Sequence, residues 1–177
     1  MPNWCWNRLA ITGPEETVAE ALESVAAEAT PDTRLDPEFG TTVSPSALSL
    51  EKIKPTPEDL VGSKTDPMAP FELLYNEPGP GQADDWYTWR VRNWGTKWDV
   101  DAEIEKREPG EAHLAFDSAW SPPVPAVVAL SERFPDLEFL LTFDEPGNDF
   151  AGHRLIQRGA IIEAVDTNSP QNHEEEP

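Results

Sequence analysis

An α+β fold, with helices laid on one face of an antiparallel sheet, is predicted by three patterns in the 177-residue sequence. Runs with a two-residue apolar period recur and mark half-buried strands. Two segments instead carry the 3.6-residue period of amphipathic helices, each bounded by Pro. These elements alternate as strand, helix, strand, strand, helix, strand, with a hairpin after them.

Residues 3–12, NWCWNRLAIT, form the first strand, with Leu9 and Ile11 at period two. Gly13-Pro14-Glu15-Glu16 opens a helix, because Pro suits the first helical position and Glu the positive end of the dipole. Val18, Ala21, Leu22, Val25, Ala26 and Ala29 share one helical face, and Pro31 stops it. The stretch 31–85 is Pro-rich, with short helices predicted at Ala47–Ile53 and at Pro57–Val61 under a Thr56 cap. Its apolar residues Leu48, Leu50, Ile53, Leu60, Phe71, Leu73, Leu74 and Tyr75 need something to pack on. The stretch is therefore read as a long insertion wrapped over the domain. Asp84-Asp85 caps a short helix through Trp86, Trp89 and Asn93, closed by Gly95, although WYTWRV is also β-prone.

Val100, Ala102 and Ile104 alternate with Asp101, Glu103 and Glu105, which predicts a half-buried strand with an acidic outer face. The next strand turns Leu114 and Phe116 inward. Period two then requires a loop of odd length, pairing Ile104 with Phe116 and Ala102 with Ser118. Ser121 is the expected cap of a second helix that enters through Pro122 and Pro123 and points Val124, Val127, Val128 and Phe134 inward. Leu137, Phe139, Leu141 and Phe143 alternate as a core strand, and a hairpin over 153–165 turns at Arg158-Gly159.

The order is the βαββαβ arrangement of a ferredoxin-like fold, with a long insertion after the first helix and a C-terminal hairpin. One domain is predicted over residues 1–165, with its insertion at 31–85, followed by an acidic disordered tail at 166–177. The likeness concerns topology alone, since the chain has 1 Cys and an iron–sulfur cluster needs about four.

A formal charge of −21 disfavours direct nucleic-acid binding and anionic membrane surfaces, both of which need positive potential. No apolar run approaches the ~18 residues of a membrane span. No basic-then-apolar leader follows Met1, so a cytoplasmic location is expected. A single cysteine, Cys5, excludes an internal disulfide.

MPNWCWNRLAITG at 1–13, LEKIKPTPEDL at 50–60, NWGTKWD at 93–99, SAWSPPVPAVVALSERFP at 118–135 and EPGNDFAG at 145–152 occur together in this order. Over roughly residues 1–165 the chain resembles the YubB ferredoxin-like family, small proteins of plasmids, phages and prophages. The resemblance implies a ferredoxin-like fold and a mobile-element origin, hence a host or phage protein as partner. It implies no activity. Thr56 stands where a larger apolar residue is expected, and the acidic tail is an addition.

The segment WYTWRVRNWGTKW at 86–98 holds four Trp, three basic residues and no acidic ones. Arg90, Arg92, Trp94, Thr96, Lys97, Trp98 and Asp99 are the candidate binding residues. Aromatic faces beside cations suit a planar or anionic ligand. The competing reading has the Trp closing the core, the cations offsetting carboxylates, and Gly95 and Asp99 shaping a turn. Trp98 is expected to be buried, with Trp94 and Lys97 near the surface. A second candidate is the acidic face of Asp101, Glu103 and Glu105, joined by Asp99 and the Glu-rich helix Glu15–Glu28. Spaced carboxylates can imitate DNA phosphates, or they can serve solubility alone.

No catalytic residue, metal site or cofactor is predicted. Cys5 lies between two Trp on a core strand, where a free thiol is inert. Asp144-Glu145-Pro146-Gly147-Asn148-Asp149 with His153 lacks calcium-loop or zinc spacing and reads as an Asx-rich turn with Gly147 at positive φ. The reading is a non-enzymatic protein-binding module, with a small-molecule or nucleotide binder using 86–99 as the alternative.

Overall fold

The computed structural model describes residues 3–28, 45–65, 77, 79 and 84–170. Its elements are β1 (Trp4–Thr12), α1 (Glu15–Val25), α2 (Leu50–Ile53), α3 (Trp86–Trp94), β2 (Ala102–Glu108), β3 (Glu111–Ala119), α4 (Val124–Arg133), β4 (Glu138–Glu145), β5 (Phe150–Gln157) and β6 (Ala160–Thr167). The strands form one six-stranded sheet in the order β2-β3-β1-β4-β5-β6, with every neighbouring pair antiparallel. The first four strands follow the ferredoxin-like order, and the hairpin β5-β6 widens the sheet beyond β4.

Strand alternation sorts the side chains. On one face Cys5, Leu9 and Ile11 of β1, Leu114 and Phe116 of β3, and Phe139, Leu141 and Phe143 of β4 are buried. They pack with Val18, Leu22 and Val25 of α1 and Val127 and Leu130 of α4 in one core. On the opposite face the central strands carry Trp4, Trp6 and Arg8, Asp117, Thr142 and Asp144, and no helix among the described residues covers them. Asn7 is polar on the core face, but its amide donates to the Cys5 and Phe116 carbonyls and to Ser118 Oγ, so its burial is compensated. No helix of the described residues is long and apolar enough to cross a membrane.

Several expectations need correction. Pro14 occupies the N-cap position rather than the first helical one, and α1 ends at Val25, short of Ala29. The chain leaves the helix there because Ala27 bridges to Ser46 and the Val25 carbonyl accepts the Ser49 amide. Leu48, Leu50 and Ile53 of the insertion pack in the core as expected, whereas Phe71, Leu73, Leu74 and Tyr75 lie outside the described residues. Residues 57–61 make a turn on the Pro57 carbonyl, not a helix. Ser121 does not cap α4. Its hydroxyl donates to the Gly95 carbonyl, and Pro123 takes the cap position.

The β2–β3 loop has two residues, Pro109 and Gly110, and the register pairs Ala102 with Phe116 and Ile104 with Leu114. An extra residue at Glu105 changes the phase, so an even loop still puts apolar residues on one face. Ile104 is 42% exposed because it lies on the outer strand, beyond the helices. The hairpin is longer than predicted: Asp166 and Thr167, assigned to the tail, pair with Gly152 and Ala151. The Asn168 side chain and the Ser169 amide then donate to Asp149, and residues 171–177 lie outside the described part. Arg158 and Gly159 both take positive φ, the turn that matches strand twist in a two-residue hairpin.

Candidate functional site

The segment 86–98 divides between core and surface. Asp85 caps α3 by accepting from the Tyr87 and Thr88 amides, with Thr88 closing a capping box, and Gly95 ends the helix at φ 89. The helix turns Trp94 fully inward, where its indole N–H donates to the Lys54 carbonyl at 2.8 Å. Arg90 is buried too: its guanidinium lies 4.4 Å above the Trp94 ring, donates to Thr56 and pairs with Glu51 at 3.4 Å. Arg92, with 7% of its side chain exposed, pairs with Asp84 and Glu77. Burial works to raise the Asp84 carboxyl, but hydrogen bonds from Arg92 and Thr88 outweigh it and hold the group below the usual Asp range. Thr96 is buried and donates to the Ala119 carbonyl. Asp99 accepts from the Ser49 hydroxyl and the Leu50 amide, fastening α2, and burial raises its carboxyl despite those bonds.

Arg90, Arg92, Trp94, Thr96 and Asp99 are therefore parts of the scaffold, not a binding surface. The expected arrangement of the two Trp is reversed, with Trp94 buried and Trp98 half-exposed. Lys97 and Trp98 remain at the surface. Among the described residues Lys97 has no carboxylate partner; its ammonium lies 4.7 Å over Trp98, 5.4 Å over Trp120, and 5.7 Å over both Trp86 and Tyr87. Trp98 stacks on Trp120 with centroids 6.4 Å apart and meets Trp4 at 6.1 Å.

The sequence reading missed Trp4, Trp6 and Trp120, which complete an aromatic surface. Trp4 and Trp6 are each 47% exposed and Trp120 38%. Strand parity could have placed the first two, because they alternate with Cys5 and Asn7 opposite the core. Trp120 carried no such signal. It takes φ 66, a left-handed backbone that is an outlier for a bulky residue, and sets its partly exposed ring against Trp98.

Beside these rings the uncovered sheet face sinks into a depression of about 700 Å³, lined by Trp6, Arg8, Asp101, Glu103, Glu105, Asp117, Thr142 and Asp144 among others. Its single cation, Arg8, pairs with Glu105. Desolvation raises the Asp117 carboxyl above the usual Asp range. The outer acidic face of β2 is thus joined by carboxylates of β3 and β4. The α1 carboxylates do not join it, since α1 packs on the other side of the sheet.

The remaining candidates have structural roles. Burial pushes the Cys5 thiol up to about 12, so it carries no thiolate at neutral pH. Glu145 is buried and its carboxylate accepts the Gly147 and Asn148 amides, shaping the turn. The positive φ falls on Asp149, not Gly147, whose missing side chain makes room for Asn3 and Glu145. His153 hydrogen-bonds with Glu163 on the neighbouring strand.

Residues 93–176 match the model of a family described as the ferredoxin-like domain in Api92-like protein. The whole chain is similar in fold to the crystal structure of the protein api92 from Yersinia pseudotuberculosis, with a TM-score of 0.61 at 14% identity. That match covers 96% of this chain and 99% of the other. No curated protein matches the chain. The ferredoxin-like fold implied by the YubB resemblance stands, while the matching family model carries the Api92-like description and not the YubB name.

Proposed function

We propose that this chain is a non-enzymatic protein-binding module whose uncovered sheet face takes a basic partner surface. The observation that carries this reading is the cluster of Trp4, Trp98 and Trp120 at the surface, with Trp6 of the same strand face lining a carboxylate-rich depression. Indole rings offer large contact area and attract Lys and Arg of a partner through their faces. The neighbouring carboxylates favour the same cations and speed their approach. A partner that uses basic residues to bind nucleic acid fits this chemistry, with Asp101, Glu103, Asp117 and Asp144 standing in for phosphates. The mobile-element origin implied by the YubB resemblance fits a role against such a host or phage protein.

Trp120 gives the test. Its left-handed backbone suits Gly better than Trp, so Trp120→Gly is expected to leave Tm unchanged or raise it. The same variant is expected to weaken partner capture from a lysate of the cells that encode the chain by about 30-fold, the loss of one aromatic hot spot. Added salt should weaken capture as well. Equal capture of the same proteins by both forms would overturn the reading.

The alternative, a nucleotide or small anion held by segment 86–99, draws on Lys97 alone, because Arg90 and Arg92 face internal carboxylates. Quenching of the indole fluorescence by nucleoside phosphates, abolished in Lys97→Ala, would favour it over the protein-binding reading.

A further inference from the structure

The surroundings of Lys97 are unusual for a lysine of this chain. With 34 Asp and Glu, carboxylates are close to most surface cations. Among the described residues the Lys97 ammonium meets none and lies instead among four rings, 4.7 Å over Trp98, 5.4 Å over Trp120 and 5.7 Å over Trp86 and Tyr87. Ring faces attract its charge, but they are poor acceptors for its three N–H donors. The walls of this cage are set without Lys97. Trp86 and Tyr87 stand on the first turn of α3, fixed by the Asp85 cap. Trp98 lies between Thr96, which donates to the Ala119 carbonyl, and Asp99, which accepts from Ser49 and Leu50. The Trp120 amide donates to the Asn3 carbonyl at 2.9 Å while the residue keeps its left-handed backbone. Strain of this kind persists where the surroundings over-determine it, and it gathers at ligand sites. Lys97 itself sits on a flexible four-carbon stem, so rotation of that one side chain empties the cage and leaves its walls in place.

We infer that Trp86, Tyr87, Trp98 and Trp120 form a binding site for a quaternary or methylated ammonium group, with Lys97 as its resident competitor. The cation already seated on the rings shows the charge that the cage takes. Its missing acceptors select the kind of ammonium. Methyl groups replace the N–H donors that ring faces leave unsatisfied, keep the positive charge and bury apolar surface against indole. Such a cation fits the cage better than the primary ammonium that fills it. The group arrives either as a free small cation or as a methylated lysine side chain, and the chemistry of the cage is the same for both. Small-cation binding is independent of whether the sheet face captures a protein, so this site and the protein-binding reading fail separately.

The test is titration of the full chain with tetramethylammonium chloride, followed by the indole NMR signals and compared with equal sodium chloride. It is carried well above the roughly millimolar effective concentration of a tethered competitor. The signals of Trp86, Trp98 and Trp120 should shift, while that of the buried Trp94 stays in place. The ε-methylene protons of Lys97, moved upfield by the ring currents, should return toward the ordinary lysine position as the probe enters. Lys97→Ala is expected to bind the probe about tenfold more tightly, because one competing cation is gone. Lys97→Ala/Trp120→Gly should lose that gain. The sign distinguishes this site from a nucleotide site, which Lys97→Ala would abolish. A trimethyllysine peptide that binds Lys97→Ala more tightly than tetramethylammonium and its own unmodified form identifies a protein side chain as the source. Equal or weaker binding of that peptide identifies a free cation. A probe that shifts no cage indole beyond the sodium chloride control overturns the inference, and so does equal affinity of the intact chain and Lys97→Ala. The first of these measurements uses the intact chain and decides the point even if the variant fails to fold.

Discussion

Trp94→Ala is expected to cost about 3–5 kcal/mol of folding stability, the range of large aromatic truncations in a core. For a chain of this size that lowers Tm by roughly 6–20 °C. Three losses combine. The indole is fully buried, so its removal leaves a cavity. The Arg90 guanidinium loses the ring face 4.4 Å below it while remaining buried, and Trp89 loses its edge contact at 6.2 Å. The Lys54 carbonyl loses its donor. Trp98→Ala removes a partly exposed ring that makes no hydrogen bond among the described residues and should cost less than half as much. Thermal or denaturant melts of the two variants side by side check this. Equal losses would mean that Trp98 closes the core as much as Trp94 does.

That contrast shows where sequence patterns carry information and where they stop. The elements with strict periods were legible: Leu9 and Ile11, then Phe139, Leu141 and Phe143, follow period two because their strands lie under helices. Asp85 and Gly95 marked both ends of α3 because capping is local chemistry within a few residues. The errors arose where a contact distant in sequence prevails. The β2–β3 register depends on one extra residue at Glu105, which no local pattern announces. The end of α1 depends on Ser46 and Ser49, about twenty residues further along. Ser121 has the chemistry of a cap, but a tertiary partner, the carbonyl of Gly95, takes its hydroxyl.

The candidate site was half legible for a related reason. The contrast of aromatic and basic residues in 86–98 did point to one place in the fold. A helix sends its side chains in all directions, however, and composition does not say which of them face inward. Arg90 and Arg92 have long apolar stems, bury their side chains and reach carboxylates nearer the surface, so they became structural. The surface that remains is assembled from β1, the 95–99 turn and the residue after β3, with Trp98 lying 94 residues after Trp4 and 22 before Trp120. Only sheet topology brings Trp4, Trp98 and Trp120 together.

Gly95→Ala is expected to disturb the fold and the proposed recognition surface together. The residue sits at φ 89, where an Ala is strained by about 1–2 kcal/mol. A Cβ there would also lie 2.6 Å from Pro125 Cδ and 2.9 Å from the Pro122 carbonyl oxygen. The second contact is backbone at the entry to α4 and has no rotamer in which to escape, which adds about 1–3 kcal/mol of overpacking. Gly62→Ala separates the two causes: its φ is 72, but nothing lies within 4 Å of the added carbon. It should show the strain alone, so the difference in melting between the two variants measures the pressure on Pro122 and Pro125. That pressure bears on function through a short chain of bonds. The Gly95 carbonyl accepts the Ser121 hydroxyl, the Ser121 carbonyl accepts the Ser118 hydroxyl, and Trp120 stands between them. Moving Gly95 away from Pro122 therefore shifts Trp98 against Trp120 and opens the ring stack proposed as the contact surface. Partner capture by folded Gly95→Ala should fall, as in Trp120→Gly, but accompanied by a loss of Tm that Trp120→Gly lacks. Unchanged capture by a Gly95→Ala chain that melts early would show that the ring stack is not what the partner recognises.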